Sequence, residues 1–245
     1  MKRWVIVALI TLLICGVMSV SAQDDVLEPT SERVELTAGD GRILVGDLYI
    51  PADIANDGTP AILLMHQNQS NRDMWQPILP TLLDNGWVVL TVDLRAHGET
   101  GGKVDWTLAQ EDTQLWIAHL MTVEGVNPTK IALMGASIGS NLALVGCAVN
   151  PSCLTAVALS PGLNYFGVQP EIAVSEGLRT RSALLIAAQN DRTSALAVRQ
   201  MAGSSTGVLE MRVYRGGHHG KDLFKEELES VQSLIVSWFK DVFAD

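Results

Sequence analysis

From residue 31 onward, short apolar runs alternate with longer stretches in which apolar positions recur every three or four residues. Segments 31–36 and 43–50 read as extended, and the turn signal Gly39-Asp40-Gly41 between them predicts a hairpin. After Pro60, the run Ala61-Ile62-Leu63-Leu64-Met65 is apolar throughout and has the length of a strand covered on both faces. A helix over 73–84 leads through Asn85-Gly86 into a second buried strand, 87–92. The alternation continues with helix 105–123, strand 130–134, a helix after Ser137, strand 155–159, strand 183–188, helix 195–202, strand 209–214 and an amphipathic helix over 222–243. These elements predict one mostly parallel, twisted sheet of about eight strands with helices on both faces, an α/β architecture. No internal repeat, linker or charge run divides it, so 23–245 reads as one domain.

The first residues do not belong to that pattern. Lys2 and Arg3 precede an uncharged, strongly apolar stretch from 4 to 22, and Val20-Ser21-Ala22 suits a signal peptidase. We read 1–22 as a signal peptide cleaved after Ala22, with export to the periplasm or the medium as the consequence. An uncleaved anchor is the competing reading, since 4–20 is at the short end of what spans a bilayer. Lipid attachment at Cys15 fits poorly, because the preceding Leu12-Leu13-Ile14 has a bulky residue where a small one is wanted. With Cys15 removed, Cys147 and Cys153 are left in an oxidising compartment, close in sequence around an Asn150-Pro151 turn, and are expected to pair. Two buried free thiols are the alternative.

Composition narrows the class. A 47% hydrophobic content excludes intrinsic disorder, and a net charge of -10 without any Lys/Arg run excludes a nucleic-acid partner. Cleavage at Ala22 would remove two basic residues and no acidic one, leaving the exported chain more acidic still. No histidine or cysteine spacing suggests a metal site, and no Gly-rich fingerprint follows the first core strand, so no metal, nicotinamide or flavin cofactor is expected.

The sharpest chemical signal is Gly135-Ala136-Ser137-Ile138-Gly139, set between a predicted strand and a predicted helix. A Gly-x-Ser-x-Gly turn in that position holds the serine in a strained conformation with its hydroxyl exposed. Here the chain resembles the α/β-hydrolase superfamily, in the manner of serine esterases and dienelactone hydrolases with a short lid, from about residue 34 to the C-terminus. The resemblance implies an α/β-hydrolase fold and a nucleophile, acid and histidine in that order, each after a strand. Ser137, Asp191 and His219 fit those places. Serine needs a base, imidazole can accept its proton near neutral pH, and a carboxylate orients the imidazole. His219 is preferred to its neighbour His218 because His219-Gly220 matches the family's His-Gly; Asp222 reads instead as an N-cap of the last helix. Asp191 could alternatively be a turn residue.

The resemblance further implies two oxyanion donors. One is the amide of Ile138; the other comes from His66-Gln67-Asn68-Gln69, where the family often has His-Gly-x-x, and by position it is the N–H of Asn68, with Gln67 as second choice. Gln67 in place of glycine puts a side chain on the floor of the site and could add a substrate contact. His66 is expected to brace this loop. His97, in Asp93-Leu94-Arg95-Ala96-His97-Gly98, resembles the family's loop-ordering Asp-x-Arg-Gly-x-Gly. Only about twenty residues, 161–181, can form a lid, so an open or half-covered cleft walled by Asn164, Tyr165, Phe166 and loop 67–75 is expected; packing on the sheet edge is the alternative for Tyr165 and Phe166. The implied activity is that of a carboxylesterase on small or moderately sized soluble esters. A thioesterase or peptidase of the same fold, and an exported binding protein that lost catalysis, are the alternatives.

Overall fold

The computed structural model describes residues 28–55 and 58–244. The expected signal segment, Ala22 and Cys15 lie outside the described residues. Eight strands, β1 (Thr30–Thr37), β2 (Ile43–Ile50), β3 (Thr59–Met65), β4 (Val88–Val92), β5 (Val126–Ala136), β6 (Cys153–Leu159), β7 (Ser182–Ala188) and β8 (Val208–Tyr214), form one sheet in the order β1-β2-β4-β3-β5-β6-β7-β8. β1 and β2 are the expected antiparallel hairpin, and β3 to β8 run parallel to one another.

The helices are α1 (Leu79–Asp84), α2 (Trp106–Leu120), α3 (Ile138–Val149), α4 (Arg192–Ser204), α5 (Leu223–Glu226) and α6 (Leu228–Ala244). Period-two alternation in the central strands feeds two cores. Leu63 and Met65 pack with α2, α3 and α4 on one face, while Ile62 and Leu64 pack with Trp75, α1, α5 and α6 on the other. Both faces being covered explains why these strands read as continuous apolar runs.

Two predicted helices are broken in the structure. The expected helix 73–84 is a short 3-10 turn, Arg72–Trp75, followed by α1. Pro77 has no N–H to return to the Asp73 carbonyl, whereas Pro80 sits at the start of α1, where a missing N–H costs nothing. The expected helix 222–243 is interrupted at Glu227, which lets Phe224 of α5 pack on Trp75 while Phe239 and Phe243 of α6 pack on Trp87. Asp222 precedes α5 but makes no capping hydrogen bond; its carboxylate pairs with Lys225 at 2.9 Å. Strand 130–134 is longer than predicted and extends over all of β5.

Cys147, in α3, and Cys153, at the start of β6, form a disulfide across a Cα separation of 5.1 Å. The Arg181 guanidinium lies in the same corner and donates to the carbonyls of Cys147, Ala148, Asn150, Cys153 and Gly177. It thereby satisfies carbonyls left open at the end of α3.

Candidate active site

The carboxyl ends of β3 to β8 bring the predicted site residues to one edge of the sheet. Ser137 stands between β5 and α3 at φ 53 and ψ -121, a left-handed conformation that a residue with a Cβ adopts only under constraint. The constraint is close packing. A Cβ on Gly135 would lie 2.1 Å from the Gly139 carbonyl oxygen, and one on Gly139 would lie 2.2 Å from the Met65 carbonyl oxygen. Ser137 N–H donates to the Leu159 carbonyl at 2.8 Å, which ties the turn to β6.

Asp191 follows β7, and His219 follows β8. His219 is the histidine that meets Asp191, its Nδ1 donating to Asp191 Oδ2 at 2.6 Å, so that Nε2 is the ring nitrogen turned away from the carboxylate. The other carboxylate oxygen, Oδ1, accepts from Ser194 N at 3.5 Å as the N-cap of α4. One carboxylate therefore both caps α4 and accepts from His219. Partial burial pushes the Asp191 carboxyl up, but hydrogen bonds from His219 and Ser194 outweigh it, and the group ionises below its ordinary value.

The loop after β3 lies against this turn and is built from side-chain hydrogen bonds. His66 is fully buried; its Nε2 accepts from Leu94 N at 2.9 Å, so Nδ1 carries the proton and donates to the Gln67 carbonyl at 2.7 Å. Burial lowers its pKa to about 4, which keeps it neutral. His97 Nε2 accepts from Gln69 N at 3.1 Å and lies 3.0 Å from the Asn68 side-chain amide. Asp93, also buried, accepts from the amides of Arg72 and Glu99 at 2.8 Å and pairs with the Arg72 guanidinium, joining the far end of this loop to the one after β4.

Gln67 has a specific place. Its Oε1 accepts from Lys221 N at 2.8 Å, and its own N–H points at Met74 Sδ, 3.4 Å away. Gly220, at φ +56, leaves room for that amide, since a Cβ there would stand 2.2 Å from Gln67 Oε1. Gly220 N also donates to Ser160 Oγ at 2.9 Å. The histidine loop is thus strapped to the loop after β3 and to the end of β6. Ile138 is buried as the first residue of α3, and its N–H has no carbonyl four residues back within the helix.

Asn164, Tyr165 and Phe166 occupy the segment after β6. The Tyr165 ring meets the His219 ring at 6.3 Å and 82°, and its hydroxyl lies 3.2 Å from Ser194 Oγ. Phe166, 60% exposed, stacks on Trp106 at 5.4 Å. Asn141, fully buried in α3, donates to the carbonyls of Gly162 and Val168 at 2.9 Å and accepts from Gly162 N at 3.0 Å, which fixes this segment to α3. Ser160, Asn141, Ser194 and Trp106 were not expected from the sequence. Of these only Ser160-Pro161-Gly162, a turn signal closing a strand at the same edge, carries a local cue. Among the described residues, no group of three or more His, Cys, Asp or Glu is arranged to hold a metal ion.

Comparison with known proteins agrees with the architecture. The family profile described as "alpha/beta hydrolase fold" matches residues 60–191, more than half of the chain. An uncharacterized protein of Escherichia coli O157:H7, YfhR, is 31% identical over 121 residues, a stretch covering 48% of this chain and 42% of that protein. The chain thus matches less than half the length of that curated relative. Among solved structures, the Pyrococcus furiosus esterase Pf2001 superposes with a TM-score of 0.70 at 20% identity, covering 86% of this chain and 90% of that one. A dienelactone hydrolase from Anabaena variabilis gives 0.69 at 22% identity, over 88% of this chain and 99% of that one. At these identities the likeness is one of fold.

Proposed function

The chain belongs to the α/β-hydrolase fold family, and from that premise we propose that it is a serine hydrolase, a carboxylesterase acting on small or moderately sized soluble esters. The observation that carries this reading is the His219–Asp191 pair at 2.6 Å, on a loop whose Gly220 abuts Ala136, the neighbour of the left-handed Ser137. In the first step Ser137 Oγ bonds to the ester carbonyl carbon while its proton passes to His219 Nε2. Asp191, ionised, stabilises the imidazolium. The carbonyl oxygen becomes an oxyanion between the N–H groups of Ile138 and Asn68. Asn68 is favoured over Gln67 as second donor because the Gln67 N–H is turned to Met74 Sδ. Collapse breaks the bond to the alkoxy group, which leaves as the alcohol with the His219 proton. Water then attacks the acyl-enzyme with His219 as base, releasing the acid and restoring Ser137. We also place the protein outside the cytoplasm after cleavage at Ala22. The Cys147–Cys153 disulfide supports an oxidising compartment, and among the described residues no helix is long and apolar enough to cross a membrane.

A fluorophosphonate probe tests the reading. It should label Ser137 covalently, and Ser137→Ala should abolish both labelling and the release of p-nitrophenol from short-chain esters, a loss on the order of a millionfold in kcat. Folded protein that takes no label overturns it.

A further inference from the structure

Trp106 begins α2 after the loop leaving β4, and Phe166 lies at the tip of the turn that follows β6. In the sheet order β4-β3-β5-β6, the two strands between them are β3 and β5. The stack of Phe166 on Trp106, centroids 5.4 Å apart and planes at 19°, therefore joins segments that flank the two strands leading to the loop 66–69 and to Ser137. Trp106 continues to His97 at 6.1 Å, and His97 reaches Asn68. One chain of rings thus runs from the oxyanion loop to the segment after β6.

This arch is held in position. Phe166 has φ 53, paired with Gly167 at φ 91 in a tight turn closed by the Tyr165–Val168 bridge, and Gly167 N donates to Asn164 Oδ1 at 2.8 Å. A large non-glycine residue in the left-handed region is strained and persists only where its surroundings fix it. Asn141 supplies that fixing from below.

The position of the arch bears on the two halves of an ester differently. The leaving oxygen must sit beside His219, which protonates it, so the alcohol extends toward Tyr165 and the mouth of the site. With the carbonyl oxygen turned to the amides of Ile138 and Asn68, the acyl substituent leaves on the side away from His219, the side on which His97 joins the loop 66–69 to Trp106 and so to the ring stacked on it. We propose that the Trp106–Phe166 arch is an acyl-length barrier, restricting the enzyme to esters of short-chain acids while leaving the alcohol unrestricted. The proposal rests on the serine-hydrolase reading and adds which side of the substrate is measured.

The test is a p-nitrophenyl ester series from acetate to decanoate, set beside a series of acetates whose alcohol grows from methyl to naphthyl. The wild type should lose about tenfold or more in kcat/KM between butanoate and octanoate, with a much flatter response to the alcohol. Phe166→Ala should raise the octanoate-to-acetate ratio by about tenfold, and Phe166→Trp, which keeps the arch and thickens it, should lower it. Equal movement in the acyl and alcohol series, or in neither, overturns the proposal. Fluorophosphonate labelling of each protein separates the two failures. Label on Ser137 with a flat acyl profile removes the barrier alone, whereas absence of label removes the hydrolase reading and the barrier with it.

Discussion

At the turn holding Ser137, position is set by what is missing. Gly135 and Gly139 have no side chain, and the backbone of β3 and α3 closes into the space a Cβ would need, leaving Ser137 a single conformation. The facing loop, 66–69, is fixed by what has been added: His66, Gln67, Asn68 and His97 each extend a polar side chain to a backbone group or to one another. The first construction tolerates no extra atom. The second tolerates changes of size but needs donors and acceptors at their stations. Each fixes one of the two amides proposed to hold the oxyanion, and they should fail differently.

The largest expected effect lies on the glycine side. Gly139→Ala would place its Cβ 2.2 Å from the Met65 carbonyl oxygen, with backbone on both sides, so β3 and α3 must part. We expect a loss of about 3 kcal/mol or more in urea unfolding. Gly203 in α4 is the matched control, since a Cβ there meets nothing within 4 Å and alanine removes only flexibility. Gly203→Ala should be neutral or stabilising by about 0.5–1 kcal/mol. Equal responses at the two positions would remove steric closure as the cause of the Ser137 conformation.

On the other side of the comparison, the buried His66 predicts a pH dependence. Its folded pKa of about 4 lies below the ordinary 6.5, so between those values the unfolded chain binds a proton that the folded one refuses. Stability from neutral His66 is complete above about pH 6.5, declines as the pH falls, and is fully lost by about pH 4. The contribution is on the order of 3 kcal/mol. Nitrogen NMR should find Nδ1 protonated and Nε2 bare down to pH 5, and the urea midpoint should fall through the same window. An imidazole that titrates near pH 6.5 would mean that the loop is not sealed as described.

The same division governs what could be read from the sequence. Gly135-Ala136-Ser137-Ile138-Gly139 carries its geometry in a contiguous string because the steric demand is local, and the order of Asp191 and His219 follows from strands that announce themselves as apolar runs. The struts were invisible for the opposite reason. Gln67 to Lys221, Ser160 to Gly220 and Asn141 to Gly162 join residues far apart in the chain, and a polar side chain gives no sign in sequence of which distant amide it will meet. The dual role of Asp191 illustrates the middle ground. The sequence offers a turn residue or a partner for histidine at this position, and a carboxylate, having two oxygens, meets both His219 and Ser194. The break in 222–243 reflects tertiary packing of Phe224 on Trp75, which amphipathic period alone does not encode, whereas the break in 73–84 follows from Pro77 and is written in the sequence.

The smallest expected effect tests the strut that replaces a glycine. Gln67→Ala removes the acceptor for Lys221 N–H and loosens the histidine loop from the oxyanion loop, without touching Ser137, Asp191 or His219. Because the loss is one of alignment, ester turnover should fall about tenfold in kcat with KM nearly constant. Gln67→Glu keeps an oxygen at the same reach and should recover most of that loss. Gly220→Ala attacks the contact from the other end, its Cβ standing 2.2 Å from Gln67 Oε1, and part of its damage should vanish when Gln67→Ala is added. Such non-additivity is the signature of a shared contact, and what remains measures the left-handed strain at Gly220. A substrate contact would behave otherwise: Gln67→Ala would raise KM at unchanged kcat, and its effect would add to that of Gly220→Ala. That result would move Gln67 from the frame of the site to its floor, leaving the glycine-built turn as the more rigid of the two constructions.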